Sequence, residues 1–266
     1  MRKNIYSIFP KAFLLCVWLF AVVIAANVSS AQTLKQICPN LNQDPCAKAK
    51  NVIAAADVIV YGEEPKGSDW TYTAEAMLTS PDIGVDKFKE GVKLKEAVEF
   101  AKERAASAAS GEGAKIFIVR RAFDEVYGSM PLVQQEAEWV GKIKQKKAWY
   151  AIIVLDENAR LMNDANLRRQ MIDRSYSFAT GKSAKPEDAA KWMKANYHFR
   201  QIFTQLRSYL YSPEGAPDLH DTVRRALYVI NKKEPSETEI KSASDKFKPG
   251  KKVYREMLGK KLPFDF

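Results

Sequence analysis

The stretch Ala148-Trp149-Tyr150-Ala151-Ile152-Ile153-Val154-Leu155 decides the fold class of this chain. It is an uninterrupted apolar run between Lys146-Lys147 and Asp156-Glu157. A run this short, rich in aromatic and β-branched residues, fits a buried strand or a segment of a buried helix. Its possible partner is Lys115-Ile116-Phe117-Ile118-Val119. If the two paired, the fold would be α+β, with a small sheet from segments 115–119 and 148–155. Around the second segment, however, Ile116, Val119, Phe123 and Val126 share one helical face. The preferred reading is therefore mainly α: a globular domain of about seven helices.

Helix signals dominate the rest of the chain. Asp44-Pro45 is a start, because Asp caps free amides and Pro suits the first helical position. That helix runs to Tyr61 and stops at Gly62. A short helix is expected over 70–78. A longer one should run from Asp86 to Ser110, ended by Gly111-Glu112-Gly113. Residues 132–177 contain one glycine, Gly141, and no proline. A single helix there would be about 70 Å long, so a break is expected near Lys146-Lys147 or at Asp156-Glu157-Asn158. Pro186 opens one helix through Trp192, Tyr197, Phe199, Ile202, Phe203, Leu206 and Leu210, and Pro217 opens another. Gly and Pro thus sit at boundaries, as helices require.

The amino terminus reads as an export signal. Arg2, Lys3 and Lys11 precede a fifteen-residue apolar run from Ala12 to Ala26. Such a run spans about 22 Å as a helix, short of the ~30 Å hydrocarbon core. Ser29 and Ala31 then supply small residues for cleavage before Gln32. The expected organisation is a cleaved signal peptide (1–31), a helical globular domain (32–233) and a basic C-terminal tail (234–266). Cleavage removes three positive charges and no negative ones, leaving about +7 of the formal +10. The location expected is periplasmic or secreted, with no transmembrane span after cleavage. In an oxidising compartment Cys38 and Cys46, the cysteines left after cleavage, should form a disulfide. Their spacing is not that of a CxxC redox pair, and no histidine lies near enough for a metal site.

Chemical motifs are sparse. The two histidines, His198 and His220-Asp221 with a later Asp245, loosely resemble the metal ligands of HD-type phosphohydrolases. Read from the residues, His198 packs among aromatics, and Asp221 suits the first turn of a helix. Gly181-Lys182-Ser183 echoes a phosphate loop, but Tyr176 stands where the first glycine is required. No GxSxG element is present, so no serine is singled out as a nucleophile. Glu136 and Glu138 beside Trp139, or Asp156-Glu157, could form the carboxylate pair of a glycan-cleaving enzyme. No catalytic, cofactor or metal residues are assigned, and no nucleotide is expected.

The clearest partner signal is charge. Residues 241–266 hold eight basic and three acidic side chains. Lys246, Lys248, Lys251, Lys252, Arg255, Lys260 and Lys261 are therefore the candidate partner-binding residues, suited to an acidic protein or an anionic envelope component. Nucleic acid is less favoured, since no basic motif with interleaved aromatics is present. The closing Leu262-Pro263-Phe264-Asp265-Phe266 is expected to dock on the core or in a partner. The chain otherwise lacks the repeated alternating strands of a membrane barrel. Two functions remain: an exported basic helical interaction protein, serving as a non-enzymatic accessory or assembly factor, or a secreted carboxylate-dependent hydrolase acting on an acidic glycan. Removing residues 246–266 is expected to leave helicity and melting temperature nearly intact while weakening salt-sensitive binding.

Overall fold

A computed structural model describes residues 34–40, 43–44, 46–67, 69–108, 111–144 and 147–262. The expected signal peptide (1–31) and the closing residues 263–266 lie outside them. Every regular element among the described residues is an α-helix, and there are about twice as many as the sequence suggested. The mainly α class holds. The sheet alternative is overturned, because 115–119 lies within a helix over Glu112–Tyr127 and 149–155 opens another over Trp149–Asn163.

The described residues up to Ala55, with Pro65–Ala97, form one compact unit. Ala56–Glu64 and the residues from Val98 onward form a second. The first unit holds α1 (Leu34–Ile37), the beginning of α2 (Cys46–Tyr61), α3 (Asp69–Thr79), α4 (Gly84–Glu90) and the start of α5 (Leu94–Ala108). Cys38 and Cys46 are joined by a disulfide, with their Cα atoms 5.8 Å apart, and both are buried. Met77, Ile83 and Phe88 are among the buried side chains of this unit. The single long helix expected from Asp86 is two helices, broken at Gly91, whose φ of 107° is open to glycine and strained for other residues.

The second unit is built around α6 (Glu112–Tyr127) and α8 (Trp149–Asn163), which pack on each other. The two segments that could have paired as strands do meet, but as helices. Ile118, Val119, Ala122 and Phe123 join Trp139, Tyr150 and Ile153 in one core cluster. In α8, Tyr150, Ile153, Glu157 and Leu161 are buried at helical spacing, whereas Leu155 is 71% exposed. The run therefore buries one stripe at three- and four-residue spacing, part-buries its flanks and leaves Leu155 in water, which a two-residue period would not do. Glu157 on that stripe is satisfied: its carboxylate accepts from Trp139 Nε1 at 2.7 Å and from the Tyr127 hydroxyl at 3.0 Å.

Residues 132–177 break twice. The first, between the end of α7 (Val133–Lys142) and the start of α8 at Trp149, falls at the anticipated Lys146-Lys147 site and takes in Lys147, while Asp156-Glu157-Asn158 stays inside α8. The second break is at Asp164, whose carboxylate accepts from the amides of Asn166 and Leu167 at 2.9 and 3.0 Å and starts α9 (Ala165–Thr180). The aromatic-rich helix is likewise two, α10 (Pro186–Lys194) and α11 (Phe199–Leu210). Ala195 between them turns its carbonyl to the Arg168 guanidinium.

α12 (Ala216–Asn231), α13 (Glu237–Phe247) and α14 (Tyr254–Met257) complete the unit. Val223 and Ala226 of α12 pack with Ile240 of α13 and Met257 of α14. Val253 and Leu262 belong to the large cluster around Phe199, Ile202 and Phe203. The C-terminal residues thus carry charge on one side and core on the other. Among the described residues, no helix is long and apolar enough to cross a membrane.

Candidate functional site

The loop between α13 and α14 carries Lys248-Pro249-Gly250-Lys251-Lys252. Its backbone is held from beneath by α11 and the residue that follows it. Arg207 donates to the carbonyls of Lys251 and Gly250, at 2.8 and 3.0 Å. The Tyr211 hydroxyl donates to the Lys252 carbonyl. Burial pushes the Tyr211 phenol up to about 12, so it remains a donor at neutral pH. Within the loop, Lys251 N–H donates to the Lys248 carbonyl at 3.1 Å, and Lys251 adopts a left-handed φ of 43°. Val253, at the loop's end, is fully buried.

With its carbonyls turned inward, the loop turns its side chains out. Lys246, Lys248, Lys251, Lys252, Lys260 and Lys261 are all exposed. Among the described residues none of them lies in ion-pair distance of a carboxylate. Arg255 differs from these six. It stacks 4.3 Å over the Phe178 ring and donates to the Lys261 carbonyl at 2.7 Å, so it fastens the C-terminal segment from inside.

Beside the loop lies a groove of about 570 Å³ between α13 and the turn joining α11 to α12. His220 on its wall pairs with Glu237 at 2.8 Å. That hydrogen bond, with help from Arg224, holds the Glu237 carboxyl below its usual range. Asp221 takes no part. It binds Lys182 at 2.8 Å and Arg225, and both hold its carboxyl low. His198 sits elsewhere, as the residue before α11. The loose HD-type pattern is therefore not assembled, and among the described residues no three His, Cys, Asp or Glu side chains are grouped to hold a metal.

The carboxylates raised as a possible catalytic pair are partly gathered. Glu138, Asp156 and Glu157 surround Arg160 at 4.0, 3.9 and 3.3 Å, while Glu136 pairs with Arg120. A glycan-cleaving acid needs a raised pKa. Glu138 is instead lowered, chiefly by its hydrogen bond from Lys142.

The one carboxyl that is strongly raised was not singled out in the sequence. Asp124 on α6 is completely buried, and neither of its oxygens has a hydrogen-bond partner. Burial pushes it up to about 7, against the pull of Arg121, Arg255 and Arg200. Next to it in sequence, Glu125 holds Arg200 at 2.7 Å and lies 3.7 Å from His198 Nε2. Burial lowers the His198 pKa, with Glu125 opposing. In the sequence Asp124 is one acid among 32, and only its burial in the folded chain distinguishes it.

Compared with protein-family models, curated proteins and solved structures, the chain finds no match.

Proposed function

We propose that this chain is an exported, basic, helical interaction protein, an accessory or assembly factor that binds an acidic protein or an anionic component of a cell envelope or surface. The observation that carries this reading is the pinned lysine loop. Its backbone is immobilised by Arg207 and Tyr211, and its ammonium groups have no carboxylate partners among the described residues. Fixing the loop in advance lowers the ordering cost of binding. Unpaired lysines clustered over a short stretch attract anions over about 8 Å at physiological salt. The disulfide and the apolar amino-terminal run support a periplasmic or secreted location.

The runner-up is a secreted carboxylate-dependent hydrolase on an acidic glycan. Asp124 has the raised pKa such an acid needs, but it is fully enclosed. The lysine loop faces solvent and requires no rearrangement.

The test is co-sedimentation of the mature protein with phosphatidylglycerol vesicles and with neutral phosphatidylcholine vesicles, alongside binding to a carboxylated polysaccharide. Binding to at least one anionic probe should fall steeply with salt. It should drop at least fivefold in Lys251→Glu/Lys252→Glu/Lys260→Glu/Lys261→Glu. Equal affinity for neutral and anionic probes would overturn the reading. Turnover of the polysaccharide, abolished by Asp124→Asn, would favour the hydrolase.

A further inference from the structure

The turn from α6 into α7 carries Met130-Pro131-Leu132-Val133. Met130, Leu132 and Val133 are 47, 71 and 88% exposed, so three large apolar side chains crowd one short turn in water. Scattered single exposures need no explanation, whereas a cluster marks a contact surface. This cluster is also held in place. Gly128 turns the chain at a left-handed φ of 63°, where a Cβ would strike the Phe199 ring. Arg174 of α9 donates to the Tyr127 carbonyl at 2.6 Å and to the Ser129 hydroxyl at 2.9 Å. Leu132 N–H donates to the Gln135 side-chain oxygen at 2.9 Å, and the Leu132 carbonyl accepts from the Glu136 amide. A tip fixed from both sides gives up little freedom on binding.

Three observations say what covers the tip. First, the tip is uncharged. Val126 to Gln135 holds no Asp, Glu, Lys, Arg or His, in a chain that is 28% charged. The carboxylates at either end are taken, Glu125 by Arg200 at 2.7 Å and Glu136 at both oxygens by Arg120. Second, the base of the tip is cationic. Arg174 is half-buried and has no carboxylate partner among the described residues. A guanidinium keeps its charge in a protein, and a partly desolvated charge is costly until it is paired. Arg174 therefore favours an anion arriving from outside. Third, the tip is splayed. Leu132 is extended, with φ −66° and ψ 152°, so the side chains along it diverge to opposite sides. It also lacks the Trp and Tyr that dominate the centres of protein interfaces. Fluid hydrocarbon closes around a splayed set of Met, Leu and Val, and a bilayer sets phosphates at the level of the base.

We propose that the Met130–Val133 tip inserts into the surface of an anionic phospholipid bilayer, with Arg174 at its base meeting a lipid phosphate. The proposal rests on the interaction-protein reading above and names a bilayer as the anionic component. Insertion reaches about 5–10 Å, to the boundary of headgroups and acyl chains. A short apolar element holds a membrane only weakly without a second, basic signal. The C-terminal cations supply one, and packing ties them to the tip. Arg255 donates to the Lys261 carbonyl and stacks over Phe178, Phe178 meets Phe199 edge-on at 5.7 Å, and Phe199 lies against Gly128.

The test places an environment-sensitive nitrobenzoxadiazole dye on Leu132→Cys in the intact mature protein, whose Cys38 and Cys46 are joined. The probes are vesicles of phosphatidylglycerol mixed with phosphatidylcholine, and vesicles of phosphatidylcholine alone. With the anionic vesicles the emission should rise at least threefold, shift to the blue and be quenched by lipids bearing a nitroxide near the top of the acyl chain. Met130→Ser/Leu132→Ser/Val133→Ser should weaken co-sedimentation at least tenfold with an unchanged circular dichroism spectrum, since all three positions are exposed. Arg174→Gln should weaken it at least threefold, and an unchanged affinity would overturn the phosphate contact. A dye that stays in water while the protein co-sediments would overturn the proposal and leave the broader reading standing, because the lysines would then bind without the tip. Undiminished binding by the triple-serine variant, or binding to the carboxylated polysaccharide and to no vesicle, would do the same. Equal responses to neutral and anionic vesicles, or no binding to any anionic probe, would remove both. The dye needs one exposed substitution, so it decides even if the triple-serine variant does not fold.

Discussion

Asp124 shows how one residue can set the pH response of a fold. Its carboxyl moves from an ordinary value of 3.8 to about 7 because burial penalises the charged form more than Arg121, Arg255 and Arg200 favour it. A raised carboxyl means that the folded state binds a proton the unfolded state has released. Its contribution is therefore fully present below about pH 4 and is lost as pH rises to about 7. The slope reaches about 1.4 kcal/mol per pH unit inside that window. His198 acts the other way: its lowered pKa contributes stability that is present above 6.5 and lost as pH falls. Urea unfolding of wild type and Asp124→Asn from pH 4.5 to 8 separates the two. The variant should lose the decline toward neutral pH and keep the loss on acidification. If wild type and variant run parallel, Asp124 is ionised throughout.

At the scale of the elements, the C-terminal helices bear on the expectation that residues 246–266 can be removed without cost. Val253, Met257 and Leu262 in that stretch are 5% exposed or less. Burying each such side chain stabilises by about 1.5–3 kcal/mol. Deletion of residues 246–266 should therefore lower the unfolding free energy by about 4–9 kcal/mol and expose the Phe199–Phe203 cluster. Urea titration and binding of a hydrophobic dye would read both effects. An unchanged unfolding midpoint would show that the clusters close without these residues. Surface lysine substitutions are for that reason the right way to test the charge. The element scale also explains the extra helices. Asp164 and Gly91 redirect the chain through a local hydrogen bond or backbone angle, and Ala195 through its carbonyl's bond to the distant Arg168, splitting segments whose apolar periodicity runs on almost undisturbed.

For the molecule as a whole, the disulfide acts within the first compact unit. The loop it closes is short, so the chain-entropy contribution is about 2.5 kcal/mol. Reduction, or Cys38→Ser/Cys46→Ser, should lower stability by about 1–3 kcal/mol without abolishing helicity, as measured by circular dichroism during urea unfolding. Because Cys38 and Cys46 are joined and buried, thiol reagents should label neither of them in the natively folded, oxidised protein. Two readily labelled thiols in protein isolated from its native compartment would end the structural role. The net positive charge belongs to this scale as well. It favours solubility and attraction to anions, and half of the formal +10 lies in residues 241–266, where Arg207 and Tyr211 hold the backbone of the lysine loop.

What the residues settle alone is what local chemistry settles. Pro and Gly at boundaries, capping acids and apolar positions three and four apart specify helices. The spacing of Cys38 and Cys46 specifies the bridge, and the lysine-rich C-terminal stretch marks the charged face. Ile116, Val119, Phe123 and Val126 favoured a helix for 115–119 without excluding a strand, whereas 148–155 gave no such lean because an unbroken apolar run has no visible period. Tertiary packing resolved it by choosing which stripe to bury, leaving Leu155 in water and drawing Glu157 inward to Trp139 and Tyr127. The isolation of Asp124 and the inward turn of Arg255 likewise arise from packing. Each depends on desolvation and contact between residues far apart in sequence, which no local pattern encodes.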